Sequence, residues 1–209
     1  MKRTERPGMS VVVGVTGGIG VGKSLFCEML RAEGGRIIDA DKIGWEILRH
    51  DGNVKKQLLK CFGKGIIGNS REIDRKRLAL LVFSDKGKLE NLNAIVHPRL
   101  LSRVSEEVGK LREEGCAVII VDAALISEWK TERDFDMIIL VTATRKDRVR
   151  RLLGKGMEEE EITNRIDLQA GDEERRKAAD LFVENDGSVE ELGKKAKAAW
   201  TKILLLEKG

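Results

Sequence analysis

Residues 11–24 read Val-Val-Val-Gly-Val-Thr-Gly-Gly-Ile-Gly-Val-Gly-Lys-Ser. An apolar, β-branched run ends in a glycine-rich loop that carries a lysine and a hydroxyl. Gly17, Gly22, Lys23 and Ser24 complete the spacing G-x-x-x-x-G-K-[ST]. Glycines let the backbone curl until consecutive N–H groups point inward at phosphate oxygens, which a Cβ would obstruct. Lys23 then puts a point charge on the β- and γ-phosphates, and the Ser24 hydroxyl is a ligand for Mg²⁺. The flanks agree. Val11–Thr16 has the apolar, branched character of a buried parallel strand, and Leu25 to Ala32 reads as a helix whose N-terminus favours anions. The stretch implies a nucleoside-triphosphate site made by Gly17, Gly18, Ile19, Gly20, Val21, Gly22, Lys23 and Ser24. Lys23 is expected to face solvent when no ligand is bound.

The rest of the chain bounds what surrounds this loop. Its 209 residues suit one α/β core with embellishments better than two independent domains. Lysine and arginine number 39 against 35 aspartate and glutamate. A net charge of +4, with the signs interspersed, gives no reason to expect nucleic acid as a partner. The 35% charged content is compatible with a heat-adapted source. Cys27, Cys61 and Cys116 are odd in number and far apart, which argues for reduced thiols and against a structural zinc site. No apolar stretch approaches membrane-spanning length, and the charged start of the chain has no hydrophobic leader core. The cytoplasm is the expected compartment, and a monomer is favoured.

Short apolar runs alternate with helical patterns, the signature of a parallel sheet covered by helices. Strands are expected at Val11–Thr16, Arg36–Asp39, Val118–Asp122, Met137–Val141 and Leu181–Glu184. The interval between the second and third strands is far longer than a crossover helix needs. It carries helical patterns at Ile43–His50, Val54–Phe62, Arg75–Phe83 and Leu89–Arg112. Residues 46–112 are therefore expected to form a helical insertion that holds the second substrate, within a core of residues 1–45 and 113–209. Between the fourth and fifth strands, Arg145–Ala179 is charged and helical and is broken at Gly154 and Gly156. Residues 146–176 read as a lid over phosphates or, failing that, as a solvated helical hairpin. Val189–Leu206 reads as an amphipathic helix packed on the sheet. The expected fold is a three-layer α/β P-loop NTPase with a five-stranded parallel sheet.

Ile37-Ile38-Asp39-Ala40-Asp41 puts two carboxylates at the end of the second strand, where ligands of open parallel sheets gather. Strand alternation would send both the same way. Asp41 is favoured as the base that takes the proton of an attacking hydroxyl, and Asp39 is left as a helix cap or supporting group. Asp41-Lys42-Ile43-Gly44 also matches the D-x-x-G of GTPases. Those proteins need N-K-x-D to read guanine, and Thr144-Arg145-Lys146-Asp147 has Arg where Lys belongs, so that reading is rejected. Asp122 closes the third strand in the manner of a carboxylate that orients Mg²⁺ and its waters. Glu128, six residues on, serves the second substrate or caps a helix. His97 is followed by Pro98, which is expected to break the helix locally and aim the imidazole at the cleft; a purely structural histidine is the alternative.

In order, these stretches resemble the signatures of the dephospho-CoA kinase family. They are the loop Thr16–Ser24, Ile38-Asp39-Ala40-Asp41, Asn91 to His97-Pro98 and Asp122-Ala123-Ala124-Leu125-Ile126-Ser127-Glu128. Arg165-Ile166-Asp167-Leu168-Gln169, Ala179-Asp180 and Asn185-Asp186-Gly187-Ser188 follow. The chain departs from the pattern at four positions. Leu25 stands where the family usually has Thr, Ala124 where it has Pro, and Ser127 where it has an aromatic. The lid's R-x-x-x-R becomes Arg151 and Lys155, which keeps the charge but loses the bidentate fork. The resemblance implies transfer of the ATP γ-phosphate to the ribose 3′-hydroxyl of dephospho-CoA, with ATP and Mg²⁺ as cofactors. It implies that Lys23 and the Gly17–Gly22 amides stabilise the phosphoryl group, while Ser24 holds Mg²⁺ with Asp122 assisting through water. Asp41 would activate the hydroxyl, Arg151, Lys155 and Arg175 would close charge over the phosphates, and His97 and Glu128 would line the acceptor side. Another small-molecule P-loop kinase is the alternative enzyme. A nucleotide-binding switch without transfer is the alternative of a different class.

Overall fold

The computed structural model describes residues 10–68, 71–82, 85–124, 126, 134–168 and 172–207. Five parallel strands form one sheet: β1 (Val11–Thr16), β2 (Arg36–Asp39), β3 (Val118–Asp122), β4 (Met137–Thr142) and β5 (Leu181–Glu184). Their spatial order is β2-β3-β1-β4-β5. The chain leaves β1 towards one edge, returns through β3 beside β1, and continues to the other edge through β4. Such a reversal opens a crevice beyond the carboxyl ends of the strands, at the tip of β1.

All six residues of β1 and all five of β3 are buried, as strands covered on both faces must be. One face meets α1 (Lys23–Ala32) and α9 (Val189–Glu207). Val11, Val13, Val15, Ile120 and Ile139 pack there with Phe26 and Leu30 of α1 and with Leu192, Ala196 and Ile203 of α9. The opposite face has Gly14, against which Ile126 and Phe135 lie so closely that a Cβ would touch them. Among the described residues, three further helices lie between β4 and β5: α6 (Arg145–Leu153), α7 (Glu159–Leu168) and α8 (Asp172–Ala178). α6 stops at Gly154 and the chain turns through Gly156 at φ 79°, where the sequence pattern breaks.

The chain divides into two compact units, residues 1–39 with 106–209, and residues 40–105. The second unit is helical. It contains α2 (Ala40–His50), α3 (Gly52–Phe62), a single 3₁₀ turn at Lys64–Ile66, α4 (Arg75–Val82) and most of α5 (Lys86–Glu113). Three aspartates start its helices. Asp51 accepts from the N–H groups of Asn53 and Val54, Asp74 from those of Lys76 and Arg77, and Asp85 from those of Gly87 and Lys88. Each satisfies N–H groups that a helix leaves orphaned at its start. The caps explain why α3 and α5 begin earlier than apolar periodicity indicates. Arg99 on α5 closes on the Asp51 carboxylate at 3.1 Å, and Arg75 lies over the Trp45 ring.

Two local expectations are corrected. α5 runs unbroken through Pro98, so the proline does not break the helix. Proline removes a single N–H donor, and the buried side chains of Val96, Leu100 and Val104 on either side hold the helix in place. β2 ends at Asp39 and α2 starts at Ala40, so strand alternation does not relate Asp39 to Asp41. Asp41 sits in the first turn of α2, where a carboxylate is favoured by the positive end of the helix.

Candidate active site

The loop from Gly17 to Gly22 joins the tip of β1 to α1 and is pinned from several sides. Val21 is fully buried in the sheet core. A Cβ on Gly17 would strike the Val141 carbonyl oxygen of the neighbouring strand. Gly22 has φ 90°, and a Cβ there would strike the Asn185 amide. Neither position tolerates a side chain, which is the physical content of the glycine spacing.

Lys23 opens α1, and its ammonium pairs with the Asp122 carboxylate at the end of β3. Lys23 is only 8% exposed and Asp122 6%. The expectation of a solvent-facing lysine is therefore corrected. At the head of α1 its side chain has an acidic strand end within reach, and a buried ammonium needs a counter-charge. Asp39 is the register partner of Asp122 across β2 and β3, so two carboxylates stand side by side at these strand tips. The Thr16 hydroxyl donates to the Ala124 carbonyl at 3.2 Å and ties the end of β1 to the segment after Asp122. Ser24 is exposed in the first turn of α1.

The outer side of the loop is gripped by α6 and by the residue after β5. Arg148 Nε donates to the Ile19 carbonyl at 2.7 Å. Arg151 Nη1 reaches the carbonyls of Val21, at 3.2 Å, and Gly20, at 3.4 Å, while its Nη2 reaches that of Asn185 at 2.6 Å. Asn185 Nδ2 donates to the Val21 carbonyl at 2.8 Å. Arg148 and Asn185 escaped the reading of the sequence as functional residues. The usable signal was spacing: Arg148 and Arg151 stand three apart and share one face of α6.

Asp147 is occupied locally. It accepts the Thr144 hydroxyl at 2.6 Å and donates its own N–H back to that oxygen at 3.1 Å, closing the first turn of α6. The Thr144 bond first, and then the Arg150 and Arg151 charges, hold its carboxyl below the usual range. A carboxylate so engaged braces Thr144, the residue that caps α6.

The remaining expected site residues lie on other elements. Lys155 is exposed in the turn after α6. Arg175 is 1% exposed on α8. Asp41 is exposed at the start of α2, and His97 is half-buried on α5; both belong to the helical unit. Burial lowers the His97 pKa and favours the neutral ring. Glu128 and Ser127 lie outside the described residues. Beneath the loop, burial pushes the Cys27 thiol up to about 12 despite the nearby Lys23 charge.

Ser24, Asp122 and Asp39 offer only oxygen donors, the set a hard cation such as Mg²⁺ takes. Among the described residues no three of His, Cys, Asp or Glu gather into a metal-holding group. An ion here would draw most of its ligands from phosphate oxygens and water, which is how Mg²⁺ is usually held.

A loop that cradles phosphates, followed by a strand-end carboxylate and a basic helix, is a kinase arrangement, and the comparisons with known proteins agree. A family model described as dephospho-CoA kinase matches residues 11–191. A dephospho-CoA kinase from Corynebacterium glutamicum is 38% identical over 181 residues, covering 86% of this chain and 93% of the relative. The crystal structure of TT1252 from Thermus thermophilus matches with a TM-score of 0.75 at 32% identity, covering 93% of this chain and 98% of that one. A dephospho-CoA kinase from Campylobacter jejuni matches with a TM-score of 0.66 at 26% identity, with the same coverage. The chain belongs to the dephospho-CoA kinase family.

Proposed function

We infer that this chain transfers the γ-phosphoryl group of ATP to the ribose 3′-hydroxyl of dephospho-CoA, giving coenzyme A and ADP. The observation that carries this reading is the family match over residues 11–191, which spans the phosphate loop, the Asp39-Ala40-Asp41 stretch and the Asn185–Ser188 loop. In the proposed mechanism the Gly17–Gly22 amides hold the β- and γ-phosphates. Lys23 exchanges its partner, turning from Asp122 to the transferring phosphoryl group, so nucleotide entry releases the Asp122 carboxylate. Ser24 and the released Asp122 are the residues that would hold Mg²⁺, which supplies charge neutralisation on the phosphate oxygens when bound. Asp41 accepts the proton of the ribose 3′-hydroxyl as that oxygen attacks phosphorus. It is exposed in the first turn of α2.

His97 and Glu128 line the acceptor side. Arg151, Lys155 and Arg175 close positive charge over the phosphates. Of these, Lys155 is exposed in the turn after α6, Arg175 is almost fully buried on α8, and Arg151 would have to leave the carbonyls of Gly20, Val21 and Asn185 to do so. Phosphoryl transfer needs little covalent help from the protein, so positioned charge supplies most of the rate. The proposed setting is the cytoplasm, as a monomer.

The test is ADP release with ATP and Mg²⁺, offering dephospho-CoA, adenosine, AMP and shikimate as acceptors. Turnover is expected with dephospho-CoA well above the others. Faster turnover with another acceptor would select the alternative of a different small-molecule kinase. ADP release that ignores every acceptor would select a nucleotide switch.

A further inference from the structure

The carbonyls of Ile19, Gly20 and Val21 are all taken by side chains from outside the loop. A peptide unit is planar and trans, so each C=O points opposite to the N–H of the next residue. Gripping the Ile19 carbonyl from outside therefore aims the Gly20 N–H inward. Gripping the Val21 carbonyl does the same for the Gly22 N–H. Two of the three donors are themselves buried, Arg148 at 7% exposure and Asn185 at 6%, while the third, Arg151, is half-buried. Buried polar side chains that spend their donors on a loop's backbone hold that backbone in one orientation.

We propose that Arg148 and Asn185 are positioning residues for nucleotide phosphates, which they bind only indirectly, by fixing the peptide planes of the phosphate loop. Arg148 adds a second effect. A cation at the oxygen end of a peptide polarises it and strengthens the N–H at the other end as a donor to phosphate. Asn185 supplies geometry without charge.

Two neighbours support the assignment. A Cβ on Gly20 would press on the Arg148 carbonyl and the Leu152 side chain at 3.0 Å each, so loop and helix are in contact along α6. The N–H of Asn185 donates to the Thr142 carbonyl at 2.7 Å, and Thr144 N–H donates to Asp186 at 2.9 Å, which locks the post-β5 loop onto the end of β4. Asn185 is thus held as firmly as the strands that carry it. Its donor is pre-placed and needs no ordering when the ligand arrives.

The proposal rests on the reading that ATP occupies this loop, and the experiment separates the two. Binding of ATP, ADP and adenosine is measured by calorimetry for the parent, Arg148→Met, Arg148→Lys, Asn185→Ala and Asn185→Asp, alongside melting temperature and KM for both substrates. A hydrogen bond to or from a charged group is worth enough that its loss is expected to weaken ATP and ADP about tenfold in Arg148→Met. Adenosine affinity and the KM for the acceptor should stay at parental values. Arg148→Lys keeps the charge and one donor and should recover part of the loss. Asn185→Asp sets a carboxylate against the Val21 carbonyl and should be worse than Asn185→Ala. Equal weakening of ATP and adenosine would overturn the proposal and make these residues merely structural, as would parental ATP affinity in Arg148→Met and Asn185→Ala. A parent that binds neither ATP nor ADP would instead refute the ATP reading. If Arg148→Met does not fold, Arg148→Lys against Asn185→Ala carries the same comparison.

Discussion

Replacing Lys23 by alanine removes one member of an ion pair whose side chains are 9% and 8% exposed. Asp122 is left behind at the end of a buried strand, in an environment that disfavours an unpaired charge. Breaking a buried pair from one side typically costs roughly 3–5 kcal/mol. Asp122 sits at the strand tip beside the loop, where water can enter the space that the lysine stem vacates, so the lower end applies, about 3 kcal/mol. For a chain of this size each kcal/mol moves the melting temperature by about 2–4 °C, which places the expected fall at about 6–12 °C. Scanning calorimetry without nucleotide reads it directly. The variant Lys23→Ala with Asp122→Ala removes the stranded carboxylate and should recover most of the loss, because replacing both members of a buried pair is often close to neutral. Turnover should fall by roughly 10²-fold or more in both variants, since the phosphate charge loses its counter-ion. A Lys23→Ala protein that melts with the parent would refute the buried pair. One that also keeps its turnover would remove Lys23 from the reaction.

Three further outcomes follow from the same placements. Asp41→Asn should lower turnover by roughly 10²–10³-fold with ATP affinity unchanged, and Asp39→Asn should be milder; rates and nucleotide binding on the pair check this, and a reversed order would move the base to Asp39. Lys155→Arg should hold or raise turnover while Lys155→Ala lowers it, because arginine restores the fork that grips phosphate; equal rates for parent and both variants would take Lys155 out of the lid. Cys27 should resist a thiol reagent at neutral pH until the protein unfolds, because burial pushes its pKa to about 12, whereas exposed Cys61 should react at once; labelling counted by mass spectrometry decides it.

The five strands, their parallel sense and the phosphate loop were legible in residues 11–24 and in the apolar runs that follow. The reason is local. A strand buried on both faces must be continuously apolar, and a loop whose N–H groups face phosphate must be glycine-rich, so both leave their mark in one short stretch. Helix starts were less legible, because apolar periodicity registers the buried face while the start is set by a capping side chain such as Asp51 or Asp85. Three features depended on the tertiary structure. Asp41 turned out to sit on a helix, because β2 stops at Asp39 when its register with β3 runs out. Lys23 proved to be buried, because its partner Asp122 lies 99 residues away in the chain and only the β1–β3 pairing brings it near. The grip on the loop by Arg148 and Asn185 spans 129 and 164 residues of sequence. The sequence shows only the three-residue spacing of Arg148 and Arg151 and the place of Asn185 in Asn185-Asp186-Gly187-Ser188; which carbonyls they reach is decided by strand order and by the direction in which a helix leaves its strand.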